Sequence, residues 1–120
     1  MTNRSRLASA LVTTGLLTWS AWLMAGDPAA GAAAWVKEYP QADGSPARSC
    51  VSCHGRELTR PGSQVNTGKV IKPLAPSVEP ARLTDPAKIE KWLLRNCRWT
   101  LGRECTADEK DDFISYIRTQ

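Results

Sequence analysis

The sequence predicts an all-α domain, on three observations. Cap-then-proline pairs mark helix starts at Asp27-Pro28, Ser45-Pro46 and Asp85-Pro86. Apolar residues recur at helical spacing in Ile89, Trp92 and Leu93, and again in Phe113, Tyr116 and Ile117. No stretch alternates apolar and polar residues as a half-buried strand would, and there is no internal repeat.

The chain of 120 residues is enough for one domain. Its opening has the form of an export signal: Arg4 and Arg6, then an uncharged stretch from Leu7 to Ala25, then small residues. Residues 1–25 are expected to be a signal peptide cleaved after Ala25, with a weaker cleavage position among Ala32 to Ala34. A retained membrane anchor is the alternative, because nineteen uncharged residues just span a bilayer, although Thr13, Thr14, Gly15, Thr18 and Ser20 dilute the apolar content. Residues 26–120 then form the exported domain, expected in the periplasm.

Within that domain, Pro28 opens an alanine-rich helix from Ala29 to Glu38, weakened by Gly31 and ended by Pro40. Gln41 to Gly44 reads as a turn. Ser45-Pro46 predicts a second short helix through Cys50 and His54, stopped by Gly55. Glu57 to Pro80 carries Pro61, Gly62, Gly68, Pro73, Pro76 and Pro80 and is expected to be a long irregular loop. Thr84-Asp85-Pro86 starts a helix whose apolar stripe is Ile89, Trp92 and Leu93, with Asn96 at i+7 on the same face. Cys97 to Cys105 is expected to enclose a turn at Gly102. Thr106 and Glu109 have the spacing of a capping box and begin the last helix.

The chemistry centres on Cys50-Val51-Ser52-Cys53-His54. C-x-x-C-H is the spacing of a c-type haem attachment site. Two thiols one helical turn apart reach the two vinyl groups of one porphyrin, and the next residue presents an imidazole to the iron. The export signal and the motif support each other, because this haem is attached outside the cytoplasm. The predicted cofactor is therefore one covalent haem c, held by Cys50, Cys53 and His54, with His54 as an iron ligand. In the loop, Val70, Ile71, Leu74 and Ala75 are candidates to line its face. A small domain of this length gains much of its core from such a group.

The sixth iron position is constrained by elimination. His54 is the only histidine, and both methionines, Met1 and Met24, lie in the predicted signal. The common His/Met arrangement of electron carriers is thus not available to residues 26–120. The position is vacant, holds water, or takes Lys69, Lys72, Tyr39, Tyr116 or Asn96. Asn96 stands out because it is expected to face inward; the competing expectation is a buried amide bonded to nearby backbone. Cys97 and Cys105, eight apart in an oxidising compartment, point to a disulfide. Two buried thiols or a metal pair are the alternatives, and a zinc site using all four cysteines would leave the signal and His54 unexplained.

The charge balance excludes one class of partner. The chain carries 16 basic and 12 acidic residues, and without Arg4 and Arg6 the excess falls to two, which a pair of haem propionates would cancel. No basic run interleaved with aromatics is present, so nucleic-acid binding is not expected.

The downstream residues resemble a known family. Gly68-Lys69, Ile71 to Ser77, Arg82 to Asp85, Lys88 to Trp92, Arg95-Asn96-Cys97 and Gly102 to Thr106 look, in that order, like the sphaeroides haem proteins, small high-spin bacterial cytochromes c. The resemblance covers roughly residues 45 to 120. It implies a class I cytochrome c-like fold, with Asn96 as a distal iron ligand immediately before the disulfide Cys97–Cys105. It also implies that this weak ligand is displaced by small diatomic molecules such as oxygen and nitric oxide. Electron exchange with a dihaem cytochrome c and a membrane cytochrome b follows from the same resemblance. The function so implied is electron transfer with a displaceable ligand. A haem-based reductase or oxidase-type module acting on a small oxidised substrate, or a gas-binding sensor, is the alternative.

Overall fold

The structure is a computed structural model that describes residues 26–120; the predicted signal peptide, with its alternative as an anchor, lies outside the described residues. Its elements are α1 (Pro28–Val36), α2 (Val51–His54), β1 (Gly62–Ser63), β2 (Val70–Ile71), α3 (Pro86–Leu101) and α4 (Ala107–Arg118). The expectation of a helical domain holds, with one small ladder added. No helix among the described residues is long and apolar enough to cross a membrane.

Capping explains where three helices begin. The Asp27 carboxylate accepts from Ala29 N–H at 2.8 Å, with Pro28 at the first helical position. Asp85 does the same for Ala87 and Lys88 at 3.0 and 3.2 Å, ahead of Pro86. In α4 the Thr106 hydroxyl accepts from Glu109 N–H at 3.2 Å, and the Glu109 carboxylate accepts from Thr106 N–H at 2.9 Å. Gly102 ends α3 in the left-handed region, with φ 74°.

Four expectations need correction. The α1 helix stops at Val36 rather than Glu38, because Tyr39 is extended and exchanges both backbone hydrogen bonds with Arg48, at 2.8 and 3.0 Å. That same exchange keeps Arg48 out of a helix, so Ser45-Pro46 starts none, and Ser45 N–H instead bonds the Asp43 carboxylate at 3.0 Å. The 57–80 segment is irregular but not structureless. Gly62 pairs with Ile71 and Ser63 with Val70, around a turn in which Gln64 collects the N–H groups of Asn66, Thr67 and Gly68. Finally, α3 runs through Cys97 to Leu101, so the enclosed turn shrinks to the few residues after Gly102.

The core joins Trp35, Leu58, Ala75, Cys97, Cys105, Phe113 and Ile117. Its frame is the pair α1 and α4, which cross so closely that a Cβ on Gly31 would strike the Asp112 carbonyl and lie 2.7 Å from Tyr116 Cβ. The glycine that weakens α1 as an isolated helix is what allows α1 to dock. Asp27 N–H reinforces the crossing with a 2.6 Å bond to the Asp112 carboxylate.

The long helix α3 is tied down at several points. The Cys97–Cys105 disulfide joins it to the start of α4, with a Cα separation of 5.6 Å. Lys110 of α4 bonds Glu90 at 2.6 Å. Its last carbonyls are satisfied from the 39–48 segment: Arg48 donates to Trp99 O at 2.9 Å while stacking over the Trp99 ring, and Gln41 donates to Thr100 O at 3.1 Å.

Two outcomes follow from this packing. Replacing a helical glycine by alanine ordinarily stabilises by about 0.5–1 kcal/mol. Gly31→Ala is expected to do the reverse, lowering stability by about 1–3 kcal/mol in thermal or urea unfolding, because the added methyl meets α4 backbone. The second concerns acid. Arg103 grips the Glu109 carboxylate with two bonds of 2.8 Å and, with Thr106, holds its pKa at about 2 against an ordinary 4.5. A lowered carboxylate pKa contributes stability above the unfolded value and loses it as pH falls through the folded one. Glu109→Gln should therefore reduce stability at neutral pH by less than about 1 kcal/mol, as befits a partly exposed pair, and flatten the loss between pH 4.5 and about 2 in an acid titration of stability.

Candidate functional site

The C-x-x-C-H residues occupy one turn of helix. His54 N–H bonds the Cys50 carbonyl at 3.0 Å, and Gly55, with φ 73°, turns the chain away immediately afterwards. The Ser52 hydroxyl steadies the entry by accepting from Ser49 N–H at 3.1 Å. A helix of four residues has little intrinsic stability. Its position is imposed from outside, chiefly by Trp35.

Trp35 reaches from α1 to the motif. Its Nε1–H donates to the Gly55 carbonyl at 3.0 Å, and its ring lies against the His54 imidazole with centroids 5.5 Å apart. Behind it stand Phe113 and Tyr116 of α4, with centroids at 6.3 and 5.8 Å. On another side Gly62 approaches the motif so closely that a Cβ there would strike the Cys53 carbonyl. Leu58, only 1% exposed, accepts from both Leu74 and Ala75 N–H at 3.0 Å and so draws the later loop onto the motif. Arg82 completes this layer, donating to Pro73 O at 2.8 Å and Lys72 O at 2.9 Å.

The electrostatics suit metal ligation by His54. Burial first, and the Arg82 cation second, push its imidazole down to about 4 from an ordinary 6.5, so it is neutral in water at pH 7. A neutral imidazole is the ligating form. Burial also pushes the Cys50 thiol up to about 12. Cys50 and Cys53 are free thiols, whereas Cys97 and Cys105 are oxidised to a disulfide. That pairing takes two of the four sulfurs and removes the four-cysteine zinc alternative. Two free thiols one turn apart, followed by a neutral imidazole, fit a covalent haem c.

The candidates for the opposite side of the iron separate clearly. Tyr39 is a structural bolt, its hydroxyl donating to Ala34 O at 3.3 Å while burial raises its pKa. Tyr116 packs on Trp35 inside the α1–α4 pair. Lys69 lies exposed beyond the Gln64 turn, and Lys72 sits 3.9 Å from the Glu79 carboxylate. Asn96 is exposed on α3, not buried as its place on the apolar stripe predicts. Its amide bonds no other group among the described residues, which removes the reading of a buried amide serving nearby backbone. The stripe itself divides: Ile89 and Leu93 are half-buried, while Trp92 and Asn96 share the exposed flank. Of the loop residues expected to line a haem face, Val70 is exposed and Ile71 and Leu74 are half-buried. Ala75 is fully covered by protein and lines nothing.

Sequence reasoning missed Trp35, Gly62 and Arg82 as parts of this site. Trp35 carries a signal in retrospect, as the one large apolar residue of an alanine-rich helix; Gly62 and Arg82 carry none without knowledge of the loop path.

Comparison with known proteins fits this geometry. A family described as a domain of unknown function, DUF1924, matches residues 23–117. The chain is 53% identical over 72 residues to the cytochrome c-type protein SHP of Cereibacter sphaeroides, covering 60% of this chain and 55% of that protein. It is 40% identical over 72 residues to cytochrome c'' of Methylophilus methylotrophus, covering 60% and 50%. The chain thus spans about half the length of the curated relatives it matches. Among solved structures it superposes on oxidised SHP, an oxygen-binding cytochrome c, with a TM-score of 0.71, 43% identity, and 79% and 83% of the two chains covered. Oxidised cytochrome c'' from M. methylotrophus gives a TM-score of 0.71 at 33% identity, with 80% and 77% covered.

The Trp35 contacts generate a test. Trp35→Phe keeps a ring against His54 but deletes the donor to Gly55 O. A loss of about 1–3 kcal/mol is expected in urea unfolding with helix content retained; a parental midpoint would mean that Gly55 O is satisfied without it.

Proposed function

The chain belongs to the DUF1924 family and to the sphaeroides haem protein family, and from that premise we propose that it is an exported cytochrome that passes electrons and opens its sixth iron position to small diatomic ligands. It is a c-type cytochrome with a single haem and an all-α, class I-like fold. The observation that carries the proposal is a pairing of presence and absence. Residues 26–120 hold two free thiols and one neutral imidazole in C-x-x-C-H, yet contain neither a methionine nor a second histidine.

A bound haem would supply a one-electron iron couple. The Cys50 and Cys53 sulfurs would hold it by two thioether links. His54 offers its neutral imidazole, oriented by the Trp35 ring and by the Trp35–Gly55 hydrogen bond. Arg82 and burial exclude a proton from that imidazole. Asn96 is the distal ligand in this reading. Its amide oxygen is a neutral donor and a poor match for ferrous iron, and so would yield to an incoming diatomic molecule. What supports Asn96 is that its amide is exposed, bonded to no other group among the described residues, and placed directly before the Cys97–Cys105 disulfide that anchors α3, whereas Lys69, also exposed, lies beyond the Gln64 turn. Electrons come from a dihaem cytochrome c and a membrane cytochrome b, in the periplasm, with residues 1–25 as the export signal.

The visible spectrum of the reduced protein tests the reading. A high-spin spectrum that shifts on adding carbon monoxide is expected; a low-spin spectrum indifferent to carbon monoxide would overturn it. Asn96→Ala should leave haem attachment intact, alter the oxidised spectrum and speed ligand binding. Unchanged spectra and rates would assign the ligand to another group.

A further inference from the structure

Trp92 is the one aromatic residue among the exposed large apolar side chains of the described residues. It is 50% exposed although it lies on the apolar stripe of α3. It is nevertheless held in place. The Arg95 guanidinium stacks over its ring at 5.0 Å from the centroid, and the Lys91 ammonium lies at 5.9 Å. Each such contact is attractive even at an exposed site. Neither Lys91 nor Arg95 forms a carboxylate pair among the described residues, whereas Lys88 and Arg98 on the same helix pair with Asp85 and Glu104 at 3.8 and 2.5 Å. The two cations that bracket the indole are thus committed to it.

Trp92 precedes Asn96 by four residues, one turn of α3. Side chains at i and i+4 are neighbours on a helix surface. A helical side chain also leans toward the N-terminus, onto the residue one turn earlier. The Asn96 amide, bonded to no other group among the described residues, is therefore a surface neighbour of a clamped indole.

The geometry points to Trp92 as the residue that governs access to the distal position: the indole, clamped by Arg95 and Lys91, is the wall beside which the Asn96 amide moves when an incoming ligand displaces it. This rests on the proposed distal role of Asn96. Trp92 does not itself bind the iron in this role; it positions Asn96 and limits the room for an entering molecule. A wall of this kind slows association of a bulky ligand more than that of a diatomic one, and so selects by size.

The test is flash photolysis of the reduced, haem-loaded protein with carbon monoxide and with a larger isocyanide. Trp92→Ala is expected to raise the isocyanide association rate about tenfold or more and the carbon monoxide rate less. Trp92→Phe should stay near the parent. Arg95→Gln should raise the isocyanide rate by an intermediate factor, since it unclamps the ring without removing it. Rates for Trp92→Ala equal to the parent's for both ligands would overturn the proposal, as would equal acceleration of both. Asn96→Ala measured alongside separates the two layers. If Asn96→Ala changes the oxidised spectrum and Trp92→Ala leaves the rates alone, the wall fails and the ligand stands; if Asn96→Ala changes nothing, the distal assignment itself falls and this proposal with it.

Discussion

The contact between Trp35 and the motif is the constraint on which the site depends. The four-residue helix α2 cannot hold its own orientation, and a single indole bonds the carbonyl after His54 while its ring backs the imidazole. Everything behind Trp35 serves to place it. Gly31 lets α1 approach α4, the Asp27–Asp112 bond closes the crossing, and Phe113 and Tyr116 fill the space beneath the ring. The site's chemistry rests on two cysteines one helical turn apart and a neutral imidazole. Its geometry rests on a helix pair contributed by the two ends of the described chain.

Around that frame the two sides of the site are built differently. The His54 side is layered: Gly62 abuts the motif, Leu58 gathers the loop, and Arg82 binds the carbonyls of Lys72 and Pro73. The α3 side is fastened at its ends and left open at its centre. A disulfide, the Arg48 and Gln41 contacts and the Lys110–Glu90 bond secure the helix, while Trp92 and Asn96 stay exposed between them. Buried polar groups on the first side are satisfied, and the Asn96 amide on the second is not engaged by any other described residue.

Much of this was legible in the residues, and the boundary is physical. Helix starts were readable at Asp27, Asp85 and Thr106 because capping is a local interaction between residues two or three apart. The C-x-x-C-H turn was readable for the same reason, and the Cys97–Cys105 pairing, eight residues apart, from the predicted export to an oxidising compartment. Ser45-Pro46 misled because its local cap signal competes with a longer-range exchange between Tyr39 and Arg48. The short 62–71 hairpin escaped notice because two-residue strands are too short to alternate. Asn96 illustrates the limit of periodicity: i+7 places a residue on a stripe, but the stripe is wider than the part the core covers, and Asn96 lies on its flank. Trp35, Gly62 and Arg82 act across the fold, through contacts no spacing rule encodes.

The crossing of α1 and α4 closes the chain over 85 residues, from Asp27 to Asp112. A local fluctuation that exposed the proximal imidazole from behind would have to part that crossing, and with it most of the core. Opening on that side therefore carries a free energy close to that of unfolding the whole domain. On the other side, turning the Asn96 amide aside takes only a side-chain rotation on an intact helix, a motion of the picosecond-to-nanosecond class at exposed positions. If Asn96 is the distal ligand, as proposed, the two faces of one centre sit at opposite ends of the protein's spectrum of motions, so exchange on the distal face need not loosen the proximal one.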